Sequence, residues 1–178
     1  MMDLTKRGLP NVVEIHGNPY SIYTDFRLWM RFEIEVSKLK QGENLDVSYL
    51  FKNKMPSYCD LRDLFVFSRP VSELPRKMRN SDVIVLDYEI DAEYIYSAFL
   101  GQYGIDLVEI EELHWHKFLA LLKGLKEDEM ISKIMTYRCY EKTDDKKNIY
   151  EELRYAWQIE RVSEEEQAEI DKFSSIFN

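Results

Sequence analysis

The stretch LDYEIDAEYIYSAFLGQYGIDLVEIEELHWHKFLALLKGL, residues 86–125, decides the fold. It holds no proline, and its apolar residues recur at helical rather than alternating spacing. Asp87 reads as an N-cap, its carboxylate placed to accept orphan backbone N–H groups. The helix it opens is predicted to run to about residue 102, with Tyr88, Ala92, Ile95, Ala98 and Phe99 on one stripe. Gly101 or Gly104 can take the left-handed conformation at its C-terminal end. A second helix is predicted over residues 109–123, with His114, Trp115, Phe118, Leu121 and Leu122 on one face, and Gly124 stops it.

Toward the C-terminus, a third helix over residues 127–138 aligns Ile131, Ile134, Met135 and Arg138. A fourth, over 147–160, carries Ile149, Tyr150, Leu153, Ala156 and Trp157, the cleanest periodicity in the chain. Residues 142–147, KTDDKK, read as a solvated loop. The last helix opens with Ser163-Glu164-Glu165-Glu166, a capping box with acids where the helix dipole favours them. Its apolar face, Ile170, Phe173 and Phe177, is narrow, which suits a weakly held helix or one docked on a partner.

Toward the N-terminus the chain is more broken, because all five prolines lie in the first 75 residues. Val12, Val13 and Ile15, then Gly17-Asn18-Pro19, then Tyr20, Ile22 and Tyr23 predict a β-hairpin. A lone hairpin is marginal in water and must pack on a helix. Residues 25–40 read as that helix. Leu28, Trp29, Phe32, Val36 and Leu39 share one face, and Phe26, Met30 and Ile34 lie on the opposite side. A helix apolar on two sides is either sandwiched within its own domain or half covered by another chain. Short helices are expected over 60–67 and 44–51, while 83–86 fits either a strand or a buried extended stretch. The class is mainly α: a helical bundle of about five to seven helices with an N-terminal β-hairpin. Residues 1–24 form an arm and hairpin on the same domain, 25–162 the helical domain, and 163–178 an acidic terminal helix or tail.

Composition agrees. The 178 residues are 45% apolar and 13% aromatic, which excludes disorder as a whole-chain description. Only 6 glycines and 5 prolines leave few turns, against a many-stranded sandwich or barrel. The net charge is −9, and residues 1–80 carry 13 basic and 10 acidic side chains against 11 and 23 in residues 81–178. So acidic a chain, without a basic stripe, disfavours nucleic acid. Two widely spaced cysteines, Cys59 and Cys139, suit a reducing compartment rather than a disulfide or zinc framework. The longest apolar run is residues 118–122, far short of a membrane span. No signal core opens the chain, and the expectation is a soluble cytoplasmic protein with no membrane partner.

Chemistry is hard to find. There is no G-x-G-x-x-G and no Walker-type loop. His114 and His116 would point about 200° apart on a helix, so they cannot share a metal, and His16 is remote in sequence. His114 is expected in the core as a neutral, hydrogen-bonded ring, and His116 exposed. Cys139 has no neighbouring histidine to activate it. The acidic groups Glu109, Glu111, Glu112 and Glu127, Asp128, Glu129 read as dipole complements and solvated charge. Arg138 ends a core-facing row and is expected to pair with Asp91 or Asp106, because buried charges need partners. No catalytic residue, cofactor or metal is expected, and the protein is read as a non-enzyme.

Particular residues carry a resemblance. The D-x-x-x-D-x-x-x-I-x-x-x-F pattern from Asp87, Asp91, Ile95 and Phe99, the loop Tyr103-Gly104-Ile105-Asp106-Leu107, and Leu113-His114-Trp115 with Phe118 resemble a bacteriophage family. It bears the label "gene product fifteen" and is found in phages and prophages of Gram-positive bacteria. Asp25-Phe26-Arg27 after the hairpin and Arg138 at the end of the third helix look like the same family. Similarity spans residues 9–140 in pieces and is dense over 86–125. It implies a tail assembly chaperone for long-tailed phages, encoded near the tape-measure gene, without catalysis. Implied partners are the tape-measure protein, the tail tube protein and further copies of the chain. The alternative is a structural virion component, a tail-completion or connector subunit. Client-facing candidates are Phe26, Met30, Ile34, Leu113, Ile170, Phe173 and Phe177, while Trp115 and Phe118 are expected in the core.

Overall fold

The computed structural model of the chain describes residues 3–40, 42–70, 83–140 and 149–160. Strands β1 (Val12–Ile15) and β2 (Asn18–Ser21) pair antiparallel with Ile15 opposite Asn18. The two-residue turn between them is His16-Gly17, both at positive φ (50° and 75°), the backbone hand that matches strand twist. The turn therefore sits one position earlier than the Gly17-Asn18-Pro19 reading. Pro19 lies inside β2, where a two-stranded sheet has an edge that tolerates a missing N–H. Val13 and Ile15 are buried, and β1 packs on a helix, the one at residues 61–68 rather than the one expected at 25–40.

Helix α1 (Phe26–Lys38) starts where Asp25 caps it, its carboxylate accepting the Arg27 N–H. Helix α2 (Leu61–Ser68) is capped in the same way by Asp60. Between them the expected helix over 44–51 reduces to one 3-10 turn, Ser48–Leu50. The hairpin draws this segment into extended backbone: Tyr23 N–H donates to Leu50 O, Lys52 N–H to Ser21 O, and Phe51 bridges Ile22. Residues 83–86 carry no regular structure.

Helix α3 (Ala92–Tyr103) begins later than Asp87 suggested. Asp87 instead caps a turn, Oδ1 accepting the N–H groups of Glu89 and Ile90, while buried Asp91 Oδ2 accepts the Asp87 N–H. The helix starts once that turn is complete. Gly104, at φ 65°, closes α3 in the left-handed conformation, and Gly101 stays helical. Helix α4 (Trp115–Lys123) is also shorter than predicted. Asp106 Oδ1 accepts the N–H groups of Val108 and Glu109, which fixes a turn where the helix was expected to begin. Gly124 ends α4.

Helices α5 (Met130–Arg138) and α6 (Ile149–Trp157) complete six α-helices among the described residues. The chain is mainly α with one small hairpin. It divides into two compact units, Met1–Asn80 with Leu86–Lys133, and Ser81–Val85 with Ile134–Asn178. In the second unit α6 has no buried residue, and Ile149 at the head of its stripe is 65% exposed. Tyr150 of α6 stacks on Tyr140, ring centroids 5.5 Å apart. The loop read at 142–147 and the terminal helix with Ile170, Phe173 and Phe177 lie outside the described residues. No helix among the described residues is long and apolar enough to cross a membrane.

Candidate partner-binding groove

The core of the first unit is organised by one ring. Phe118 of α4 stacks between Phe26 of α1 and Phe99 of α3, both at 5.1 Å and within 18° of parallel, with Trp115 at 5.5 Å. Helices α1 and α3 thus each rest on α4. Above that shared seat lies an open groove of about 540 Å³. Its walls include Phe26 and Met30 from α1, Ile95 and Tyr96 from α3, and Leu107 and Val108 from the following loop. Tyr88, Ala92 and Glu93 complete it, and Glu93 is its one carboxylate. Val108 is 70% exposed, so the rim presents apolar surface to water.

Asp25-Phe26-Arg27 builds one edge of this groove. Phe26 supplies the buried ring. Arg27 sends Nη2 to the carbonyls of Leu107 (3.0 Å) and Ile110 (2.7 Å), and Nη1 toward the Asp25 carboxylate. Asp25 Oδ2 in turn accepts the Leu113 N–H at 3.2 Å, while Phe26 N–H donates to Leu113 O at 2.8 Å. The loop that carries Leu107 and Val108 is pinned to the start of α1 by a forked cation, which a single ammonium does not reproduce. Arg27→Lys is expected to cost about 1–2 kcal/mol. Urea unfolding checks this, together with loss of hydrogen-exchange protection at the Leu113 amide.

Of the residues singled out as client-facing, Phe26 and Met30 meet at the groove, Phe26 as a buried wall and Met30 half-buried. Ile34 is half-buried and outside the groove lining, and Leu113 is buried. Tyr88, Ile95, Leu107 and Val108 were not foreseen as a surface. Val108, an apolar residue off the predicted helix stripes, was the sequence signal that could have found it. Asp106 holds its own turn and accepts Tyr96 O–H at 3.2 Å; these hydrogen bonds keep its carboxyl below the usual range. Arg138, 2% exposed, donates to the carbonyls of Trp157 (2.7 Å) and Val85 (3.1 Å) in the second unit. Trp115 and Phe118 are core. No group of three potential metal ligands stands together among the described residues.

A family model described as bacteriophage Gp15 protein matches residues 44–161, well over half of the chain. The chain belongs to the bacteriophage Gp15 family. The match takes in the middle segment and everything from Asp87 to Arg138, and leaves Asp25-Phe26-Arg27 outside. No curated protein and no solved structure matches the chain.

Of the histidines of this Gp15-family chain, His116 is not at the surface where spacing put it, and His114 keeps a hydrogen-bonded ring without being fully buried. His116 is buried, 5% exposed, stacked on Phe67 with Nε2 donating to Phe67 O at 2.8 Å. His114 is half-buried and serves as the N-cap of α4. The reason is the shortened helix: a cap residue has extended backbone, so the 100° wheel does not apply to it. His114 Nδ1 accepts the His116 N–H and Nε2 donates to Pro10 O, which fixes the neutral tautomer. Protonation would turn that cap acceptor into a donor. On His116 it would place a proton on a buried Nδ1 that has no partner among the described residues.

Both rings are therefore held below the ordinary histidine value, chiefly by burial; the carbonyls of Pro10 and Phe67 pull the other way. An unfolded chain then takes up these protons first, so the stability they contribute is present above about pH 6.5 and lost as pH falls through the folded values. The urea midpoint should fall between about pH 7 and pH 5, and His116→Gln should flatten that slope.

Proposed function

We propose that this Gp15-family protein is a non-catalytic tail assembly chaperone that binds tape-measure protein in the host cytoplasm before the tail tube closes around it. One observation carries the reading: a phage protein of acidic charge keeps an apolar groove open beside its main core. A tape-measure chain is long, helical and apolar-striped, and would self-associate before assembly. A groove of this kind covers such a stripe by helix-in-groove contact, and net charge keeps the complex dispersed. The lining offers shape and apolar area, with Glu93 and Tyr96 as its polar accents, rather than a nucleophile beside a base.

Co-expression with the tape-measure gene of the same phage should raise the soluble fraction of the client. Mass spectrometry of purified virions should find this protein absent. Unchanged client solubility together with stoichiometric presence in virions would replace the chaperone with a structural tail-completion or connector subunit.

A further inference from the structure

The groove has a charge sign. Between Arg79 and Lys117 the sequence holds no lysine or arginine, and residues 86–113 carry eight carboxylates. Asp87, Asp91 and Asp106 spend theirs on backbone N–H groups, and Glu89 pairs with Lys38. Glu93, on the groove wall, and Glu109, next to rim residue Val108, are exposed. Among the described residues Arg27, whose guanidinium lies 4.7 Å over the Phe26 ring, is committed to Asp25 and to loop carbonyls. An apolar trough is thus edged by carboxylates that no cation among the described residues pairs, in a region of low dielectric on one side where such charge acts over several ångströms.

We infer that the groove selects an amphipathic helix whose apolar stripe is flanked by lysine or arginine, and rejects the same stripe flanked by acids. This deepens the client-binding reading of the same groove and rests on it. The sign also disfavours self-occupation: residues 163–178 hold five acids and one lysine, so the chain's own terminal stretch, in the same molecule or a second copy, brings like charge.

The test is fluorescence anisotropy on the full chain with two labelled synthetic peptides of about 18 residues, each with leucines at i, i+3, i+4 and i+7. One has lysines beside the stripe and the other glutamates. The basic peptide should bind at least about tenfold more tightly, and the difference should shrink when salt rises from about 50 to about 500 mM. Glu93→Lys should cut the preference by about threefold or more, and Val108→Asp should weaken the basic peptide by about tenfold. Both positions are exposed, and far-ultraviolet circular dichroism checks that the variants stay folded.

Equal affinity for the two peptides, no binding of either, or binding indifferent to Val108→Asp would overturn the inference. So would a self-association, seen by sedimentation, that Val108→Asp abolishes, because a second copy would then own the groove. If charge selection holds and tape-measure solubility does not respond to co-expression, the client reading falls and the groove chemistry stands. If solubility responds equally in wild type and both variants, the client reading stands and the groove chemistry falls.

Discussion

Phe118→Ala should cost about 4 kcal/mol of folding stability, a large share of what a domain of this size possesses. The ring has no exposed surface and touches aromatic partners on three sides, Phe26, Phe99 and Trp115. Truncation removes the transfer energy of the ring and leaves a cavity that flat, stacked neighbours cannot readily fill. Because α1 and α3 both lean on this ring, the same change should narrow or distort the groove and weaken peptide binding beyond the stability loss. Phe118→Leu, which keeps most of the volume, should recover more than half of the deficit. Urea unfolding followed by circular dichroism reads all three proteins. A cost for the alanine variant below about 1 kcal/mol would mean the stack is not the keystone of the first unit.

Arg138→Met is the second large effect, with an expected cost of about 3 kcal/mol. Methionine matches the stem of the arginine, so the change isolates the guanidinium. That group sits almost wholly buried and donates to main-chain oxygens of Val85 and Trp157. Without it, at least two half-buried carbonyls lose a charged donor, which costs more than an ordinary hydrogen bond. Within the second unit it fastens the extended residues before Leu86 and the C-terminal end of α6 to the end of α5. Lysine should rescue little, since one ammonium replaces a planar fork. The thermal midpoint of Arg138→Met measures this, and an unchanged midpoint would remove Arg138 from the list of structural anchors.

What could be read from the chain beforehand was whatever depends on neighbours in sequence. Helix existence, the hairpin, the stop at Gly124 and the burial of Trp115 and Phe118 all follow from local periodicity and turn chemistry. Helix starts were harder. Asp87 and Asp106 have the side chains of caps, but each folds the chain into a turn first, and the helical backbone begins several residues later. Nothing short of the three-dimensional path distinguishes those two uses of an aspartate. The same error moved His116 to the surface. The segment at 44–51 lost its helix to a contact with the hairpin, a long-range pairing that propensity does not see. The groove was half legible. Phe26 and Met30 were visible as a second stripe, whereas Leu107 and Val108 join them only because Arg27 folds a distant loop back.

The division between the two units falls inside α5, at a place with no proline, glycine or change of composition to mark it. Arg138 just beyond carried the sequence signal there, a charge in a core-facing row. Such a residue announces that partners exist without naming them.

The grip of Arg27 on the loop is entirely on peptide oxygens, those of Leu107, Val108 and Ile110. Nothing in that grip depends on which side chains the loop displays. The loop can therefore exchange its apolar residues for others, and so change what the groove wall presents, while the frame that holds them stays fixed. On the client-binding role proposed above, editing the two loop positions that line the groove, Leu107 and Val108, would retune the surface while its architecture stays untouched.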